Sequence, residues 1–286
     1  MPREYTFRIV NVFAEEKFGG NPLCVFEDGR GLSDAEMQAL ARQFNLSETT
    51  FILPSECADA RVRIFTPGYE LPFAGHPTLG SAHVVRAAGD GGDAVSLEFK
   101  AGVVPVRAKG DLWSFTAPSL AAGAVPVYPP KEPRALIAAL VGLNESDLAA
   151  DPAWVHAGVD QLLIPVRDAG TVRRAAPDSS LLDRWPQSSL GRKTGYVFAF
   201  TGDAVLARYF FTTQGGGVSE DPGTGSACAN LGAWMRHGGR QPPFSVRVSQ
   251  GEAVQRPCVL YLDVNASGQI SVGGTVRELG RGTITL

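Results

Sequence analysis

Three kinds of titratable side chain stand where a strand end or a tight loop would present them. Glu48 opens the β-branched run Glu48-Thr49-Thr50-Phe51-Ile52-Leu53, His76 lies in the Gly/Pro loop Thr66–Pro77, and Glu220-Asp221 precede Pro222-Gly223-Thr224-Gly225. A carboxylate partly withdrawn from water takes up a proton more readily than a solvated one, so it can move a proton at neutral pH. An imidazole titrates in the same range. Gly75 and Gly223-Thr224-Gly225 lie ahead of two apparently helical stretches, the second starting at Ser226. Small residues there let a ligand approach the backbone. The unpaired N–H groups of a helix start favour an anion such as a carboxylate. Proton transfer on a small acid is the chemistry this set suits.

Each residue also has a purely structural alternative. Glu48 could be a solvated acid before a strand, His76 could pack under the turn at Pro77, and Asp221 before Pro222 is a common turn starter. Thr224 and Ser226 could simply cap a helix. His83, His156 and His237 read as structural.

The elements around these residues read as an internal repeat. In the first half, strands are expected at Phe7–Val12, Leu23–Phe26, Glu48–Leu53 and Arg61–Phe65, with a helix opened by the capping box Ser33-Asp34-Ala35-Glu36. A Gly/Pro loop and a helix over Thr78–Ala88 follow. In the second half, Tyr196–Phe200 and Leu206–Thr212 read as strands, Gln214–Gly225 as a Gly-rich loop and Ser226–His237 as a helix. Phe65-Thr66 matches Phe211-Thr212, Gly75 matches Gly223, His76 matches Thr224 and Glu48 matches Thr194, about 146 residues apart. A repeat of that size is a domain, so two similar α+β halves are expected. The link between them is placed in the Pro-rich stretch Ala117–Pro133. The two loops would then face each other across a cleft.

Composition bounds the function. The chain has 286 residues with 33 Gly and 20 Pro, roughly 19% together against a usual share of about 12%. Long helical bundles and coiled coils are therefore excluded. With 44% hydrophobic and 19% charged residues the chain can bury a core. The net charge is −3 and there is no basic block, which argues against nucleic acid or an anionic membrane as partner. No membrane span or signal-peptide core is found, and Cys24, Cys57, Cys228 and Cys258 have no metal-site spacing. A cytoplasmic protein with reduced thiols and no metal is expected.

Asn11-Val12-Phe13, Gly19-Gly20-Asn21-Pro22, Leu46-Ser47-Glu48-Thr49-Thr50-Phe51, Phe65-Thr66-Pro67, Glu70-Leu71-Pro72-Phe73-Ala74-Gly75-His76-Pro77-Thr78-Leu79-Gly80 and Glu220-Asp221-Pro222-Gly223-Thr224-Gly225-Ser226-Ala227 together resemble the phenazine-biosynthesis PhzF-like family. The resemblance implies a diaminopimelate-epimerase-like fold: two similar domains, each a β-barrel-like sheet round a central helix, with the active site in the cleft between them. The domains are placed at residues 1–120, with 276–286 as a candidate to return to them, and at 130–275. The family's named member isomerises trans-2,3-dihydro-3-hydroxyanthranilate without cofactor or metal, usually as a homodimer. The resemblance makes Glu48 the catalytic acid/base, supported by His76 and Asp221. It makes Gly75, Gly225 and Ser226 substrate-binding positions, to which Thr224 is added from its place in the Gly loop, with a small carboxylate-bearing molecule as the substrate.

Two rivals remain open. A racemase or epimerase of the same fold would place one thiol in each Gly loop. Here Pro222 precedes Gly223, and the first loop has no Cys. A non-catalytic binder of small acids would keep the cleft but has no need of a proton carrier such as Glu48.

Overall fold

Alternating burial along β1 (Glu4–Val12) and an apolar β2 (Asn21–Phe26) begin a sheet that bends until its ends meet. A computed structural model describes residues 2–89, 92–116, 125–213 and 216–286. The expected link at 117–133 and loop at 214–225 therefore lie partly outside the described residues. The chain divides into two units, Met1–Thr116 with Gly273–Leu286, and Ala117–Val272.

In the first unit, β1 pairs antiparallel with β2, and β2 runs parallel to β3 (Glu48–Leu53). A parallel pair needs a crossover. Helix α1 (Asp34–Phe44) supplies it. Ser33 Oγ accepts from the Glu36 N–H at 3.3 Å, and Glu36 returns the bond to the Ser33 N–H at 2.7 Å. Asn45 ends the helix in the left-handed region, φ 51°. The apolar face of α1, with Met37, Leu40 and Ala41, joins Phe26, Phe51 and Phe65 in one buried cluster.

From β3 the sheet continues antiparallel to β4 (Ala60–Phe65), parallel to β6 (Ala94–Phe99), then antiparallel through β7 (Gly102–Lys109) and β8 (Leu112–Thr116). The short β5 (Glu70–Leu71) lies on β4. Strand β17 (Ile270–Thr285) pairs with β8 and then along the whole of β1, from Val12↔Val276 to Glu4↔Thr285. That closes an eight-stranded barrel and leaves no open edge.

Helix α2 (Gly75–Ala88) fills this barrel. Its buried residues include Gly75, His76, Leu79, Gly80, Ser81, Ala82 and Val84, so it is covered on every side. Gly80 allows this: a Cβ there would stand 2.5 Å from a Leu23 methyl and 3.1 Å from Val10 and Val12.

The second unit repeats the succession. β10 (Ala153–His156) and β11 (Asp160–Pro165) are antiparallel, and β11 is parallel to β12 (Thr194–Thr201). β12 is antiparallel to β13 (Ala204–Thr212), β13 is parallel to β15 (Phe244–Gln250), and β15 is antiparallel to β16 (Cys258–Val264). β9 (Val127–Tyr128) adds to β10, and β14 (Val218–Asp221) lies on β13 as β5 lies on β4. Helix α3 (Arg134–Leu140) precedes β10, and α4 (Ala169–Arg174), capped by Asp168, bridges the parallel pair β11–β12. Helix α5 (Gly225–His237) is the central one, buried at Gly225, Ala227, Cys228, Leu231 and Gly232 among others. The fold is the barrel-round-a-helix, epimerase-like arrangement that the resemblance implies. Among the described residues no helix is long and apolar enough to cross a membrane.

Side-chain pairs fix the register of the repeat and correct the one read from glycines. Arg63 grips Glu70 through Nε and Nη2, each at 2.8 Å, and Arg208 grips Glu220 the same way, at 3.1 and 2.6 Å. The guanidinium groups lie over Phe65 and Phe210, 5.1 and 4.8 Å from the ring centroids. Arg63 thus corresponds to Arg208 and Phe65 to Phe210, not to Phe211. The helices start at Gly75 and Gly225, which puts Ser226, rather than Thr224, in the place of His76.

Candidate active site

Glu48 is the first residue of β3 and sits in register beside Leu23 of β2. Thr50, two residues on, shares its face of the strand. That face meets α2: the Ser81 hydroxyl donates to Thr50 Oγ1 at 3.0 Å, and one turn earlier His76 reaches Glu48. His76 Nε2 and Glu48 Oε2 are 3.1 Å apart, with side-chain exposures of 6% and 16%. The two atoms are close without forming a hydrogen bond to each other.

The other imidazole nitrogen is committed. The ring donates to the Pro22 carbonyl, and since Nε2 faces Glu48, the donor is Nδ1–H. Burial pushes the imidazole down to about 3, against the smaller pull of the Pro22 carbonyl toward the charged ring. His76 is therefore neutral at pH 7 and presents the Nε2 lone pair to Glu48. Pro22 is held in turn by the loop before it. Gly20 has φ +80°, and a Cβ there would lie 2.7 Å from the Val12 carbonyl oxygen. The Gly19-Gly20-Asn21-Pro22 motif is thus the support of His76.

In the second unit Asp221 ends β14, opposite Tyr209 of β13. Burial raises the Tyr209 phenol to about 12, so it stays protonated. Thr224 occupies the position before α5, yet its side chain caps no helix N–H; its hydroxyl donates to Asp221 Oδ2. The capping alternative for Thr224 is thereby corrected. Ser226 Oγ accepts from Gln161 Nε2 at 2.9 Å, and Gln161 Oε1 accepts from Asn230 Nδ2 at 2.9 Å. The first backbone bond of α5 runs from Cys228 N–H to Thr224 O at 3.0 Å, so the N–H groups of Gly225, Ser226 and Ala227 precede the helix's own ladder. In α2 the corresponding bond is Thr78 N–H to Ala74 O at 3.3 Å, which leaves Gly75 and His76 in that position.

The structure therefore brings Glu48 and His76 together in one unit, and Asp221, Thr224, Gly225 and Ser226 together in the other. Gln161, Asn230 and Gln250 join the second group without any sign in the sequence; each is a single amide side chain with no motif around it. Among the described residues there is no cluster of His, Cys, Asp and Glu that could hold a metal ion. Cys24, Cys228 and Cys258 are buried, and burial drives the Cys24 and Cys228 thiols well above their ordinary value. Thiolate chemistry at either position is disfavoured.

Comparison with known proteins follows the same lines. Residues 10–279 match the family described as phenazine biosynthesis-like protein, PhzC-PhzF. An uncharacterized isomerase of Pasteurella multocida is 39% identical over 282 residues, covering 98% of this chain and 94% of that protein. The trans-2,3-dihydro-3-hydroxyanthranilate isomerase of Pseudomonas aeruginosa is 34% identical over 271 residues, covering 93% and 92%. The crystal structure of a PhzF-family phenazine biosynthesis protein from Bacillus anthracis superposes with a TM-score of 0.83 at 22% identity, covering 99% of this chain and 100% of that one.

Proposed function

We propose that this chain, which belongs to the phenazine biosynthesis-like family and is an isomerase, moves a proton between two carbons of a small carboxylate-bearing substrate, with Glu48 as the group that carries it. The observation that carries the reading is the 3.1 Å approach of the buried His76 Nε2 to Glu48 Oε2, at a place where burial holds the imidazole pKa down.

The steps balance without a redox partner. The Glu48 carboxylate takes a proton from a carbon next to an unsaturated system, and the electron pair moves into that system. The resulting carboxylic acid then returns the proton at the far end, and Glu48 is a carboxylate again. A neutral imidazole beside it favours the intermediate stage: once Glu48 carries the proton, its O–H can rest on the His76 lone pair. An imidazolium there would favour the carboxylate and oppose proton uptake. The burial that keeps His76 uncharged therefore supports the function of Glu48 as a base.

The substrate's carboxylate is assigned to helix N-terminal N–H groups with Gly75, Gly225 and Ser226, and Asp221 and Thr224 to orienting its polar groups. A compound like trans-2,3-dihydro-3-hydroxyanthranilate fits this division, and it is the substrate in the name of the Pseudomonas aeruginosa relative. The test is to follow that acid and its carboxamide by NMR with the enzyme in D2O. Isomerisation of the acid, and a rate on the amide lower by tenfold or more, is the expected result. Equal rates on both, or none on any small acid, would overturn it. The thiol-based alternative is opposed by the burial of Cys24 and Cys228.

A further inference from the structure

The loop that carries Asp221 is held by a residue on a different strand. Gln250, the last residue of β15, is completely buried. Its Nε2 donates to the Asp221 carbonyl oxygen at 2.8 Å and to Thr224 Oγ1 at 3.0 Å, while its Oε1 accepts from the Thr224 N–H at 3.3 Å. Only this orientation of the amide fits, because the swapped one would set its oxygen against the Asp221 carbonyl. The orientation has a consequence for Thr224. With Gln250 donating to its oxygen, the Thr224 hydroxyl sends its own proton to Asp221 Oδ2. Donors thus run in one direction, Gln250 to Thr224 to Asp221, and the carboxylate at the end is left the acceptor role.

The first unit solves the same packing problem without polar atoms. With Arg63 corresponding to Arg208, the parallel registers Arg61↔Glu98 and Leu206↔Ser249 place Phe99 where Gln250 stands. Phe99 is buried and meets Phe73 edge to face, with ring centroids 5.5 Å apart. Phe73 lies three residues before His76, as Gly223 lies three before Ser226. An aromatic pair is therefore enough to hold such a loop. A fully buried amide is a costlier solution, tolerable because its bonds are made. It occurs in the unit whose loop ends in a carboxylate.

We propose that Gln250 is a positioning residue for the reaction: by gripping Asp221 and Thr224 it fixes the direction of their hydrogen bond and the aim of the Asp221 carboxylate. The proposal rests on the role given to Asp221 above. It concerns only how that side chain is held, since Gln250 itself acts through its two partners.

Two variants test it. Gln250→Met keeps roughly the volume and removes every bond; Gln250→Glu keeps an acceptor for the Thr224 N–H but loses the donor while ionised. Amide hydrogen exchange at Thr224, read on the substrate-free protein, should speed up by tenfold or more in Gln250→Met. In the isomerisation assay kcat should fall by tenfold or more in both variants, with KM changed less than threefold. The pH profile gives a signature that loss of stability alone would not: Gln250→Glu should regain rate as the pH is lowered and the introduced carboxyl recovers a donor, relative to wild type measured in parallel. Unchanged Thr224 exchange in Gln250→Met would overturn the proposal, as would a Gln250→Glu profile parallel to that of wild type. Absence of any proton transfer by the wild type would instead count against the functional reading, and the exchange arm would still decide whether Gln250 holds the loop.

Discussion

His76 Nε2 lies 3.1 Å from Glu48 Oε2, at the point where the first turn of a barrel's central helix meets the start of a barrel strand. Twenty-seven residues separate the two in sequence. The contact exists because β3 is parallel to β2 and α2 runs inside the same barrel. The account gives the two partners different tasks.

Replacing the imidazole tests its task. His76→Leu removes the lone pair that receives the protonated Glu48. The rate of isomerisation should fall by about 10- to 100-fold, equivalent to roughly 1.4–2.7 kcal/mol of barrel-held transition-state stabilisation. His76→Gln can offer an oxygen near the same point and should recover part of the loss. A steady-state comparison of the three proteins decides it.

Stability should fall in acid for a reason that can be assigned. The folded imidazole of His76 is held down to about 3 by burial, whereas an unfolded one titrates near its ordinary 6.5. Between those values the unfolded chain binds a proton that the folded chain refuses. Stability is thus fully present above about 6.5 and is lost as the pH falls toward about 3, by ~1.4 kcal/mol per pH unit from this group. Urea unfolding of the wild type and His76→Gln at several pH values in that window should show a shallower slope in the variant.

The paired clamps of the repeat make a prediction about stability. Arg208 and Glu220 are 14% and 7% exposed, and the guanidinium also donates to the Arg173 carbonyl at 3.1 Å and to that of Ala175. Breaking such a pair from one side leaves a charge buried alone. Arg208→Met should cost about 3–5 kcal/mol in chemical denaturation. Adding Glu220→Gln should return part of that, giving a clear coupling energy in the double-mutant cycle.

Thiol chemistry can be checked directly. Cys57 is exposed, whereas Cys24, Cys228 and Cys258 are buried. Brief treatment of the native protein with iodoacetamide should alkylate Cys57 ahead of the others and leave the rate of isomerisation unchanged. Loss of activity in step with modification at Cys24 or Cys228 would favour a thiol mechanism instead.

Local signals were legible in the sequence and long-range ones were not. The capping box at Ser33 and Glu36 is a four-residue pattern, and it forms as written. The strand Glu48–Leu53 follows from its own β-branched residues. Closure of the barrel depends on β17 meeting β1 across most of the chain; no local pattern encodes that pairing, and the sequence offers residues 276–286 only as a candidate to return to the first domain. Glycine identity is a poor guide to the register of the repeat. Between the paired clamps the second half is five residues longer, since Phe210 and Glu220 are ten apart and Phe65 and Glu70 five, so Gly75 falls against Gly225 and not Gly223. Among the candidate residues, Glu48, His76 and Asp221 could be singled out as chemical types. Pro22 as the partner of His76, and Gln250 as the partner of Thr224, come from packing between elements far apart in sequence.

Whether Glu48 carries the proton is decided by replacing its carboxylate with an isosteric amide. Wild type and Glu48→Gln, both checked for folding by circular dichroism, are incubated with trans-2,3-dihydro-3-hydroxyanthranilate in D2O, and the rate at which the isomerised product forms is followed by NMR. Wild type should convert the substrate, and the variant, isosteric but unable to take up the proton, should be slower by about 10²–10⁴-fold. Isomerisation by Glu48→Gln at the wild-type rate would contradict it.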